Sequence, residues 1–324
     1  MPMSEWVSPA RYCRAARACW YLAIRLTASS AGSVCESIWG VPRDKASLVR
    51  LARQRLPAVV ADRWAGLLRP SFHLRAAVDD EPAVGQLGGV PVLPDGVAWP
   101  RWEGRGPLAY IAEIDCGQLP SDSLSMPSIG TLSFFCWDGQ IDGGMPGRGA
   151  LANPAAARLL YLPAGTPVSE RDPPAGIAPY DLVELAGELF TAGPAWDSPV
   201  FRQAIGDLGD DQGFMNDWSN GDAFGHALWE LAPRAPDHRL GGHAKPIQDA
   251  VELDVAHAQL GGQIPYGNPV LHQEAQRWAL LAQFDSDQRA GMMWGDCGTL
   301  YWLIRPGDLA ARRFEEASFT WQCT

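Results

Sequence analysis

Several features that would announce a function are missing from this sequence of 324 residues. No uncharged apolar run approaches the roughly 18 residues of a membrane-spanning helix, so a helical membrane protein is excluded. There is no G-x-S-x-G elbow, no H-E-x-x-H helix and no G-x-x-x-x-G-K-[ST] phosphate loop. The glycine-rich run from Gly143 to Gly149 is no substitute, because Pro146 interrupts it and no helical pattern follows. The cysteines (Cys13, Cys19, Cys35, Cys116, Cys136, Cys297 and Cys323) are odd in number and never spaced C-x-x-C. A zinc ribbon and a disulfide framework are therefore unsupported, and free, mostly buried thiols in a reducing cytoplasm are expected.

Charged residues make up only 19%, and the net charge of −11 argues against nucleic acid as a partner. Glycine (34) and proline (27) make the chain loop-rich, short of the level that signals disorder. The charge is uneven. Residues 1–75 sum to +8, whereas residues 76–324 carry 14 basic and 33 acidic residues and sum to −19. Within one molecule this places Arg-rich helices on an acidic body, and it leaves that body able to attract a basic partner.

Residues 1–40 show neither a helical stripe nor strand alternation and are expected to be a poorly ordered or mis-assigned extension. Arg25 cuts the apolar stretch from Ala18 to Ile24 too early for a convincing export signal. Asp44 then caps a predicted helix over 45–56, and Pro57 opens a second that Pro70 stops. In Phe72-His73-Leu74-Arg75-Ala76-Ala77-Val78 the period changes to two, the pattern of a half-buried strand.

Three blocks recur in the same order. Leu87-Gly88-Gly89 returns as Leu240-Gly241-Gly242. The apolar segment from Leu108 to Asp115 returns from Trp278 to Asp285, and Gly130-Thr131-Leu132 returns as Gly298-Thr299-Leu300. Ordered recurrence points to duplication. Between the halves, residues 138–179 are rich in glycine and proline, though 157–162 reads as a strand able to pair with 131–137. The acidic stretch 206–222 reads as a solvated loop, residues near Leu309 as a short final helix, and 318–323 as a last strand.

Candidate chemistry gathers at strand ends. Asp115 and Asp285 occupy equivalent repeat positions. Asp285 and Asp287 then lead into Met292-Met293-Trp294-Gly295-Asp296-Cys297-Gly298. Asp285, Asp287, Asp296 and Asp115 would supply polar anchors and Trp294 an apolar wall for a cationic or hydroxyl-rich ligand. The alternative is that these aspartates accept backbone N–H bonds in turns. His226, His238, His243, His257 and His272 lack the spacing of a metal site and read as scattered loop histidines, so no metal and no cofactor are expected. Asp296 beside Cys297 would raise rather than lower a thiol pKa, against a nucleophile and for burial under the following strand.

The run from Met292 to Ile304, with Asp308-Leu309, Phe314 and Gln322-Cys323, resembles the carboxy-terminal signature of the YwqG-like family. The segments from Leu280 to Asp287, from Leu87 to Pro94 with Trp99-Pro100, and from His238 to Gly242 with Pro246-Ile247-Gln248 are similar as well. The resemblance implies a bacterial domain of unknown function with a duplicated α+β fold, in some settings of accessory or immunity type. It carries no established catalytic residues.

The expected fold is α+β: internally duplicated, mainly antiparallel sheets from two similar halves, with an amino-terminal helix pair. The expected division is an extension over 1–40, the helices and first repeat over 41–175, and the second repeat over 176–324. A cytoplasmic, non-catalytic binding protein for a basic protein or a small ligand is the leading reading. A hydrolase using the strand-end aspartates and a small-ligand sensor stay open beside it.

Overall fold

Asp44 accepts the Ser47 N–H at 2.7 Å and starts α1 (Lys45–Arg55), whose Leu48 and Ala52 face packs on α2 (Ala58–Ala65). The computed structural model describes residues 44–120, 123–145, 153–206, 212–231 and 235–324, so the expected extension over 1–40 lies outside the described residues.

The strands, in chain order, are β1 (Arg69–Ala76), β2 (Gly85–Leu87), β3 (Val92–Pro94), β4 (Arg101–Trp102) and β5 (Gly106–Pro107). Next come β6 (Ala109–Asp115), β7 (Thr131–Cys136), β8 (Ala157–Leu162), β9 (Val168–Glu170) and β10 (Val183–Ala192). The last four are β11 (His238–Gly241), β12 (Ala279–Asp285), β13 (Thr299–Ile304) and β14 (Ser318–Gln322). Ten of them form one antiparallel sheet in the order β14-β13-β12-β11-β1-β10-β2-β6-β7-β8, while β3 with β9 and β4 with β5 make small ribbons.

Both wings of this sheet, read outward from the central β1 and β10, run through a short strand to a long hairpin and an edge. In the hairpins Asp115 faces Thr131 and Asp285 faces Thr299. Each also carries a register shift, between Tyr110 and Ala112 in one and Leu280 and Ala282 in the other. Gly88 and Gly89 just after β2, and Gly241 and Gly242 at the end of β11, all take positive φ.

The sheet curls almost closed. Phe134 of β7 lies 5.1 Å, centroid to centroid, from both Phe284 of β12 and Trp302 of β13, strands remote from it in the sheet order. Near the seam, Tyr161 of the edge strand β8 packs 5.1 Å from Phe314. The interior is filled by these rings together with Leu74, Leu87, Ile111, Leu240 and Leu300. Each such side chain contributes about 1.5–3 kcal/mol relative to exposure. This architecture is α+β with a mostly antiparallel, nearly closed sheet.

A second core forms where α1 and α2 meet α3 (Pro199–Ala204), α4 (Gln212–Asn216) and α5 (Trp218–Glu230). Trp64 and Phe224 meet edge to face at 5.1 Å there. The expected solvated loop over 206–222 is corrected from residue 212 onward. Asp217 accepts the Ser219 N–H at 3.0 Å as the cap of α5, and the helix buries Phe224 and Ala227. Of the acidic residues that suggested a loop, the described ones are a cap, Asp217, and part of an exposed helical face, Asp222. On the outer side of β12 and β13, α6 (Val251–Gln259) packs Val251 and Val255 on Tyr301 and Leu303, and α7 (Pro269–Ala275) buries Leu271 and Ala275 beside it. A short α8 (Pro306–Ala310) precedes β14. Among the described residues no helix is long and apolar enough to cross a membrane.

Candidate functional site

The end of β12 and the start of β11 bring together a buried polar cluster. Asp237, fully buried just before β11, takes a two-pronged ion pair from Arg239, through Nε at 3.0 Å and through Nη2. Lys245 Nζ lies 3.2 Å from the same carboxylate. Burial pushes the Asp237 carboxyl up, but the Arg239 and Lys245 charges outweigh it and hold the group below the ordinary carboxylate value. The Arg239 guanidinium also lies 5.1 Å from the Phe190 ring, a cation–π contact.

Gln283, buried on β12, ties this cluster to the chain that crosses it. Its Oε1 accepts the Lys245 N–H at 3.0 Å and its Nε2 donates to the Asp237 carbonyl at 3.1 Å. Two places on, Asp285 accepts from Thr299 Oγ1 at 2.7 Å and from the Asp237 N–H at 2.8 Å.

His238 links Asp285 to Asp287. The Asp285 N–H donates to Nδ1 at 3.1 Å, so Nδ1 carries a lone pair and Nε2 carries the proton. That Nε2–H donates to Asp287 Oδ2 at 3.2 Å, and both residues are buried. Burial works against the charge on Asp287, yet the His238 bond and the Arg289 N–H at 2.8 Å keep its pKa lowered. Backbone bonds in both directions between Asp287 and Met292, at 3.0 and 2.9 Å, close the turn beyond.

The structure thus brings Asp285 and Asp287 together through His238, a residue expected to be one of several loop histidines. That expectation is corrected: His238 lies on β11, and His243 is buried with Nε2 donating to the Leu67 carbonyl at 2.7 Å. Trp294 is corrected as a ligand wall. Its indole is 0% exposed, edge to face with Tyr180 at 5.6 Å, so it has no face to offer. Met292 is buried too, while Met293 and Asp296 reach the surface. Cys297 is half-exposed rather than buried, in a left-handed turn. Asp115 stands apart in the other wing, exposed, accepting the Gly117 N–H at 2.8 Å.

Asp237, Arg239 and Lys245 escaped the sequence reading. The available signal was the density of charge in Asp237-His238-Arg239 just ahead of a buried leucine and a Gly-Gly turn. As arranged, every carboxylate oxygen of Asp237, Asp285 and Asp287 already accepts from this chain's own donors. No group of three His, Cys, Asp or Glu side chains among the described residues is placed to hold a metal ion. What the cluster does chemically is fix the β11–β12 ladder and the segment after it.

A nearly closed, mostly antiparallel sheet with flanking helices makes this an α+β protein. The family model described as "Domain of unknown function (DUF1963)" matches residues 85–323, and the chain belongs to that family. No curated protein matches it.

Proposed function

We propose that this is a cytoplasmic, non-catalytic binding protein of the bacterial YwqG-like kind, which captures a basic protein partner through its acidic body. One observation carries the reading. The aspartates best placed for acid–base work, Asp285 and Asp287, are committed to Thr299, Asp237, His238 and Arg289 of their own chain. The acidic excess of residues 76–324, −19 in all and apart from the buried Asp237, Glu252 and Asp287, then remains as the feature offered to a partner. The matching strand sequence, aspartate–threonine pairs and register shifts of the two wings support an internal duplication, with halves over 41–175 and 176–324 behind it.

The test is affinity capture on the full chain at about 0.05 M and about 0.5 M salt. A basic protein held at low salt and released at high salt, equally by wild type and by Asp287→Asn, supports the reading. Capture unmoved by salt, or substrate turnover lost in Asp287→Asn, refutes it.

A further inference from the structure

We propose that the cavity beside the end of α8 is a binding site for a small molecule carrying an oxyanion, a carboxylate or a phosphate, with Arg312 as its anchor. The proposal is independent of the protein-partner reading. The cavity, of about 370 Å³, lies between Ser125, Met126, Pro127 and Ser128 on one side and Leu309 and Arg312 on the other. That volume suits a small metabolite.

The backbone at Arg312 is the first reason. Past α8, the Arg312 N–H donates to the Leu309 carbonyl at 3.0 Å and the Arg313 N–H to the Asp308 carbonyl at 2.9 Å. This pair of bonds closes a helix end whose left-handed position glycine favours. Here an arginine holds it, with φ 55°. Glycine would meet the same backbone geometry with less strain, so what the position gains from arginine is its side chain.

The second reason is what that side chain meets. Arg313 is committed to Asp308, but the Arg312 guanidinium has no hydrogen-bond or ion-pair partner among the described residues. The nearby Cys116 thiol offers none, since burial first and the Asp115 charge next push its pKa up to about 12. Among the described residues no carboxylate lines the cavity, and Ser125 and Ser128 line the side opposite Arg312. A planar guanidinium with hydroxyl donors fits the two oxygens of a carboxylate or phosphate. Met126, Pro127 and Leu309 give the rest of the ligand an apolar bed.

The two reasons predict opposite effects of one substitution. Arg312→Gly should raise the Tm by about 2–4 °C in probe-free buffer. The same variant should bind inorganic phosphate or acetate at least tenfold more weakly than wild type, read by calorimetry and by amide shifts of residues 125–128 and 309–313. A response to phosphate alone or acetate alone supports the site and identifies the head group. No saturable response of wild type to either probe overturns the proposal, as does equal affinity in Arg312→Gly. A fall in Tm for that variant would make Arg312 a structural residue and overturn it as well.

Discussion

Glu252 sits in the first turn of α6, at the edge of exposure, where a carboxylate would ordinarily be welcome. Burial is the largest influence on it. Its own backbone N–H and Arg69 favour the charge, while Asp197 and Asp254 oppose it, and the balance raises the pKa to about 7 from 4.5. A carboxyl with a raised folded pKa stabilises the fold below its unfolded value and gives up that stability as pH rises through the folded value. The window is therefore pH 4.5 to about 7, and the full difference is about 3 kcal/mol. Glu252→Gln keeps the shape and removes the ionisation. Relative to wild type it should gain about 1 kcal/mol at pH 5 and about 3 kcal/mol at pH 8. Asp197, itself raised first by burial and accepting the Ala250 N–H at 3.0 Å, can receive the new amide. Urea unfolding of both proteins at the two pH values measures the difference. A variant whose advantage is the same at pH 5 and pH 8 would refute the account of a buried, charge-averse Glu252.

Three further outcomes follow from single residues. Asp287→Ala should lose about 1–3 kcal/mol by leaving the His238 Nε2–H without an acceptor, while Asp287→Asn should keep most of it, as chemical denaturation will measure. Gly221→Ala on α5 should be destabilising by about 1–3 kcal/mol despite a helix-propensity gain of about 1, because the new Cβ would lie 2.5 Å from the Trp196 ring. His243, pushed down to about 4 chiefly by burial, should stay neutral in an NMR titration until near that pH, and its contribution to stability should be lost as pH falls from 6.5 toward 4.

The parts of the fold that were legible are those whose apolar runs and turn residues mark strands, although β1, expected to be half-buried, is buried on both faces from Ser71 to Leu74. Phe72 and Leu74 alternate with polar neighbours and lie in β1, and the Gly-Thr-Leu runs open β7 and β13. The last strand begins at Ser318 as read. What stayed hidden was polar sequence under cover. His238 read as one of several scattered loop histidines, and Arg239 drew no reading of its own, because charged and polar side chains usually face water. Here the segment carrying His243 and Lys245 crosses the outer face and covers Arg239, while the His238 ring turns to the interior beside Phe284, tertiary facts that no local period records. Trp294 misled in the opposite way: a large ring in a polar turn suggested a surface, but the turn folds back under Tyr180.

Asp115 and Asp285 stand at like places in their hairpins, yet the neighbouring strands give them unlike work. Gly85 of β2 lies opposite Ile114, and a Cβ there would come within 2.1 Å of the Glu113 carbonyl oxygen. No side chain fits, so the Asp115 N–H donates to the Val84 carbonyl at 2.9 Å and the Asp115 carboxylate is left to a surface turn. In the other wing the residue one step before the Arg239–Gln283 pair is His238, whose ring takes the Asp285 N–H instead. That exchange of glycine for histidine admits Asp287, and the second wing then acquires a buried network that the first has no room to copy. Truncating Asp115 removes the Gly117 bond at an exposed turn, whereas truncating Asp285 orphans Thr299 and the Asp237 N–H within the sheet. Any role that required two equivalent aspartates would have to survive this difference in packing, and backbone sterics at Gly85 stand against it.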